Sequence, residues 1–248
     1  VAMESDAWVA FLNQLQNIDR AQTPPRPSAA YPAANTLPAG VAVVKVEGVL
    51  LPTVPEWMRE FGLRVTGYDE ITREMEMHAK DGRVSEIVLN IDSPGGTVQG
   101  VAGAARAIRE AAAVKTVTAW CDGTCASGAY WLASGASRIF ASTTARIGSI
   151  GVYQAFYDQT ERLTKAGIKP VVIRSGIVKG MGLDAITPEQ IAAEQGNIDA
   201  LASLFVEAVA DGRGLSVERV NALATGQTWI GARAQAEGLT DKTLETYQ

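Results

Sequence analysis

Apolar residues open the chain at Trp8, Phe11, Leu12, Leu15 and Ile18. Spacings of three and four put them on one stripe of an amphipathic helix over residues 5–19, able to dock on the body or on a partner. The pattern then breaks. Residues 21–40 carry five prolines and no hydrophobic period, which predicts an extended linker. From residue 41 onward, strand and helix patterns alternate. Apolar runs at 41–50 and 84–91 predict buried strands, and further strands are expected at 116–121, 138–142, 147–153 and 170–175. Helices are expected at 69–80, 97–113, from Ser127 to Gly135, and at 154–167. Thr187-Pro188-Glu189-Gln190 opens a long helix to about Ala210, with Thr as N-cap, Pro at N1 and Gln at N3. Ser216 caps a short helix to about Ala224, and Gly238 stops a last one over 231–237. This alternation predicts an α/β domain with a largely parallel sheet over 41–248, preceded by a helical arm and linker over 1–40. Trp57, Met58, Phe61 and Leu63 read as ordinary core, with an oligomer contact or substrate wall as the other reading.

Composition narrows the function. The chain has 248 residues, 47% hydrophobic and 20% charged, as in a globular protein with a substantial core. Its 22 basic and 27 acidic residues leave a net charge of −5, so no electrostatic grip on nucleic acid is expected. No apolar run approaches the ~20 residues of a membrane span, and residues 1–20 lack a signal-peptide pattern, so a cytoplasmic location is expected. Two cysteines make no disulfide framework and no zinc spacing. The one histidine, His78, excludes a His-rich metal site, and no metal or cofactor is called for.

Three stretches carry chemistry. Asp92-Ser93-Pro94-Gly95-Gly96 lies between a predicted strand and helix. Paired glycines let backbone approach a ligand, and N–H groups at a helix start stabilise an anion, as in an oxyanion hole. A plain Pro-Gly turn is the competing reading. Ser127, in Thr124-Cys125-Ala126-Ser127-Gly128-Ala129-Tyr130, leaves a strand and enters a helix among small residues. That exposes a hydroxyl much as a nucleophile elbow does, though taken alone the stretch reads first as a plain N-cap. Cys125 is the rival nucleophile, but no cation or His stands nearby in sequence, so Cys121 and Cys125 read as buried small residues. Lys179 sits among apolar and glycine neighbours in Ser175-Gly176-Ile177-Val178-Lys179-Gly180-Met181-Gly182. A desolvated lysine can act as a general base, whereas a snorkelling lysine is merely solvated. His78 falls in a polar helix and reads as a solvated residue. A serine nucleophile without a histidine needs another base, and lysine is the known alternative.

In this order the motifs resemble the signal peptide peptidase A family of serine proteases, which includes capsid-maturation proteases of tailed phages. The resemblance covers about Val41 to Asp241. It rests on Ile91–Gly96, Ala126–Tyr130, Ala145–Val152, Ser-Gly-x-x-Lys at 175–179, Gly226–Gly231 and Ala236–Asp241. It implies a crotonase and Clp-protease type spiral of ββα units and a Ser–Lys dyad. Ser127 would be the nucleophile, Lys179 the general base, Gly96 and Gly128 the oxyanion hole, and Ser149 the residue that holds the lysine. Clp-type proteases carry a His in the segment equivalent to 147–153, and this chain does not. The resemblance further implies protein or peptide substrates and a homo-oligomer. The N-terminal helix and linker favour the phage branch, acting on scaffold, portal or capsid proteins in the host cytoplasm or procapsid. A bacterial protease clearing signal peptides or membrane-protein fragments is the alternative. From other classes stand an inactive assembly protein on the same fold and a crotonase-like acyl-CoA enzyme, the latter without a basic cluster for CoA.

Overall fold

The computed structural model describes residues 2–3, 5–18 and 38–245, so most of the Pro-rich stretch lies outside the described residues. In chain order the elements are β1 (Ala2–Met3), α1 (Ser5–Gln16), β2 (Val41–Leu51), α2 (Glu56–Glu60), β3 (Val65–Gly67) and α3 (Tyr68–Lys80). Then come β4 (Glu86–Gly96), α4 (Val101–Ala112), β5 (Thr116–Ala126), α5 (Gly128–Ala133), β6 (Arg138–Ser142) and β7 (Arg146–Gly148). The chain closes with α6 (Thr160–Lys165), α7 (Pro188–Arg213), α8 (Val217–Leu223), β8 (Thr228–Ile230), α9 (Gly231–Ala236) and β9 (Lys242–Leu244).

The expected α/β class is present. The sheet runs β3-β2-β4-β5-β6-β9 with every neighbouring pair parallel. The central strands are buried on both faces, which explains the unbroken runs Ile87-Val88-Leu89 and Val117-Thr118-Ala119. Tyr68, Ile71 and Met75 line the inner stripe of α3, and Ala104, Ala105, Ile108 and Ala111 that of α4. The small side chains of α4 let it pack closely on α3 and α5. Where β5 passes Cys121 it loses its pairing with β6, and from Thr124 to Ala126 it pairs with β7 instead. That exchange of partners carries its end out toward the site.

The long helix begins as its sequence predicts. Thr187 Oγ1 accepts the Gln190 N–H and Gln190 Oε1 accepts the Thr187 N–H. Apart from Gln190 in the first turn, its buried residues lie in the C-terminal half: Phe205, Val206, Ala208, Val209 and Ala210. Phe205 stacks on Trp131 of α5 at 4.6 Å and 9°.

Residues 151–187 depart from expectation. The strand expected over 147–153 is only β7, no strand forms at 170–175, and the helix expected over 154–167 shrinks to α6. The physical reason is a missing partner. Val171 and Ile173 are 82% and 95% exposed, and an extended segment without a neighbouring strand has no ladder to join.

Candidate active site

Parallel strands gather chemistry at their C-terminal ends, and three of the five sequence candidates lie at the ends of β4, β5 and β7. Ser127 follows the last residue of β5 and stands at the N-cap position of α5 without a side-chain capping bond. Ser149 follows the last residue of β7. Because Ala126 pairs with Gly148, the two serines leave adjacent strands side by side. The Ser127 N–H donates to Gly148 O at 2.7 Å, and the Ser149 N–H donates to Gln227 O at 2.7 Å. Ser127 and Ser149 are the only non-glycine described residues with positive φ, at 53° and 51°. A non-glycine residue there carries about 1–3 kcal/mol of strain, held by the surrounding packing, and such strain concentrates at functional sites. Both side chains lie in the interior, at 1% and 7% exposure.

The glycine strand corrects one expectation. Gly95 and Gly96 do not open a helix; they continue β4, and α4 begins only at Val101. They pair with Val49 and Leu50 of β2. A Cβ on Gly96 would lie 1.8 Å from Leu50 O, so only glycine fits. Any N–H that Gly96 presents to a ligand is therefore aimed by sheet pairing and not by a helix end. Gly128 is the first residue of α5, where N–H groups have no partner within the helix.

Residues that the sequence left unassigned build the support. Buried Ser93 donates its hydroxyl to Gly48 O at 2.6 Å and accepts the Gly95 N–H at 3.1 Å. Asp92 accepts the Thr124 N–H at 3.0 Å, tying β4 to the end of β5. Trp229 of β8 packs on Gly148, where a Cβ would come within 2.9 Å of the ring. Glycines at 48 and 148 were the only sequence signals of these close approaches.

The rival groups fall away. Cys121 and Cys125 are fully buried, and burial, followed by the Cys121 partner, pushes the Cys125 thiol well up, away from thiolate. His78 stands in the last turn of α3, before β4 begins, at the opposite end of the sheet from Ser127. There its carbonyl accepts from Lys115 Nζ at 2.7 Å.

Lys179 is placed differently. It is exposed and lies in a turn bracketed by an Arg174–Asp184 ion pair. Gln190 Nε2 donates to Ile177 O at 2.6 Å, fastening that turn to the first turn of α7. From Gln190 to Phe205 the helix runs about 22 Å at 1.5 Å per residue, so the turn stands well out from the α5 contact. Within one chain Lys179 and Ser127 share no hydrogen bond. Around the lysine turn Tyr157, Ile168, Val171, Ile173, Ile177 and Leu183 are exposed, an apolar concentration unusual for a free surface. No helix among the described residues is long and apolar enough to cross a membrane.

Residues 109–248 match the profile of peptidase family S49. The chain is 36% identical over 225 residues to the head-tail preconnector protein GP5 of Enterobacteria phage P21, covering 88% of this chain and 43% of that protein. It is 32% identical over 228 residues to the capsid assembly protease C of Escherichia phage lambda, covering 90% and 49%. Protease 4 of Salmonella typhi is 31% identical over 181 residues, covering 71% and 29%. The chain thus spans half or less of the length of these relatives.

Proposed function

The chain belongs to peptidase family S49, and on that premise we propose that it is a serine endopeptidase working through Ser127 and Lys179. The observation that carries this is the strained, buried Ser127 at the end of β5, beside a second strained serine and next to the obligatory glycine strand of β4. In the reaction, neutral Lys179 takes the Ser127 proton and Oγ attacks the peptide carbonyl. The Gly96 and Gly128 N–H groups stabilise the oxyanion. The lysine then protonates the leaving amine, and water releases the acyl group. Ser149 orients the lysine.

A lysine works as a base near neutral pH only when water is kept from it. The exposed apolar face around Lys179 supports a homo-oligomer in which a second copy covers this segment and the dyad is completed at the contact. The names of the two phage relatives favour head assembly as the setting, with scaffold, portal or capsid proteins as substrates in the host cytoplasm or procapsid.

The test is hydrolysis of casein or an extended peptide by the parent, Ser127→Ala and Lys179→Ala. Each variant is expected to lose activity by about 10⁴-fold or more. If the dyad spans two copies, mixing and reassembling the two dead variants restores about a quarter of the sites. Equal cleavage by all three chains would sink the dyad.

A further inference from the structure

The edge of β4 beside Ser127 is already occupied. At Gly95 and Gly96 one edge of β4 is taken by Val49 and Leu50 of β2. On the other edge β5 pairs only as far as Ser93 with Cys125, because at Ser127 it turns into α5. The vacated edge is filled by β1, antiparallel, with Ala2 opposite Gly96 and Met3 opposite Gly95. The chain's own leading residues therefore lie as an extended strand along the glycine pair, next to the nucleophile.

This arm is anchored. Residue 4 alone separates β1 from α1. In α1 Phe11 is buried, and it packs with Ala7 and Leu15 against Val49, Leu51, Met58, Leu63 and Val65. Of the four hydrophobic residues singled out after β2, Met58 and Leu63 thus help to form the seat for the helix. The seat abuts the cleft, since Val49 pairs with Gly95 itself. Strand addition draws its affinity from main-chain hydrogen bonds, which any extended segment supplies. A tethered segment competes at an effective concentration in the mM range, so weak intrinsic affinity suffices.

We infer that the N-terminal arm is a built-in strand competitor, which must leave the β4 edge before an extended peptide can reach Ser127. This rests on the reading of that edge as the peptide site. A group that lifts α1 from its seat would open the cleft without touching the catalytic residues.

The parent chain is compared with Ala2→Pro/Met3→Pro, which removes both strand N–H groups, and with Phe11→Asp, which unseats α1. Amide exchange at Gly96 is measured together with peptide hydrolysis, because the Gly95 N–H donates to Ser93 Oγ and the Thr97 N–H to Leu50 O. Exchange is expected to quicken at least about tenfold in both variants. KM is expected to fall about two- to tenfold with kcat unchanged, since only free cleft is gained. Unchanged exchange overturns the occupied edge. Faster exchange with unchanged KM overturns the competition. Absence of Ser127-dependent hydrolysis in every chain sinks the proposed activity instead, and exchange alone then decides whether the arm fills the edge.

Discussion

Replacing Gly96 with alanine puts a methyl group where the backbone of β2 already stands. The new Cβ would lie 1.8 Å from Leu50 O, 2.5 Å from its carbonyl carbon and 2.6 Å from its Cα. Real contacts of this kind do not fall below 3.0 Å, so the tip of β4 must move by more than about 1 Å. Overpacking of this sort costs about 1–3 kcal/mol. At this chain length that lowers Tm by about 2–12 °C. The rate should suffer more. An oxyanion donor acts only within hydrogen-bond reach, and loss of one costs about 10²–10³ in kcat, or ~2.7–4 kcal/mol. Gly96→Ala is therefore expected to stay folded at 25 °C, melt lower, and lose about 100-fold or more in kcat with KM little changed. Initial rates against peptide concentration, beside a thermal melt, check both halves. A folded variant with lowered Tm and kcat within about threefold of the parent would refute the assignment of Gly96 as an oxyanion donor.

Three further outcomes follow from the surrounding structure. Burial alone would raise the Asp241 carboxyl, but the Arg213 hydrogen bonds, the Ile139 N–H and the Arg213 charge outweigh it and hold the carboxyl below its usual value. A lowered folded value means that this stabilisation is complete above the ordinary value of about 4 and is lost as pH falls through the lower one. The Tm gap between parent and Asp241→Asn should thus be full at neutral pH and narrow in acid; a gap that widens in acid contradicts the sign. Phe205→Ala empties the buried face of the Trp131 stack, which should cost about 3–5 kcal/mol and roughly 10 °C in Tm, and a shift under about 2 °C would show that α7 is not anchored there. Cys121 and Cys125 should resist a thiol reagent in the native chain and react once it is unfolded, whereas stoichiometric labelling of the native chain within minutes would contradict their burial.

Much of the architecture was legible along the chain because its determinants are local. Alternating apolar runs placed β2, β4, β5 and β6, and β6 falls on the expected residues 138–142. The Thr187–Gln190 box marked the start of α7, and Ser216 the start of α8, since a cap is a contact across three residues. Ser127 was readable as a serine among small residues between strand and helix, and Gly96 as half of a glycine pair after a strand, whereas Ser149 came only through the family resemblance. Reading failed where the partner is distant or absent. Short β3, β8 and β9 carry too little periodicity to announce themselves and exist because β2, β7 and β6 offer them an edge. Val171 and Ile173 read as strand from β propensity, but propensity supplies no hydrogen-bond partner.

By itself the sequence determined the class of fold, the helix caps, the presence of a single histidine and the identity of the small residues around Ser127. Each of these depends on neighbours within a few positions or on simple count. Tertiary structure alone decided that Gly96 is aimed by sheet pairing, that Ser127 and Ser149 share strained backbones side by side, and that Lys179 rides on a projecting helix end. It also placed the N-terminal strand on the edge that β5 leaves open. These are facts of long-range pairing, which depend on residues dozens of positions apart meeting across the sheet, and no local pattern encodes them.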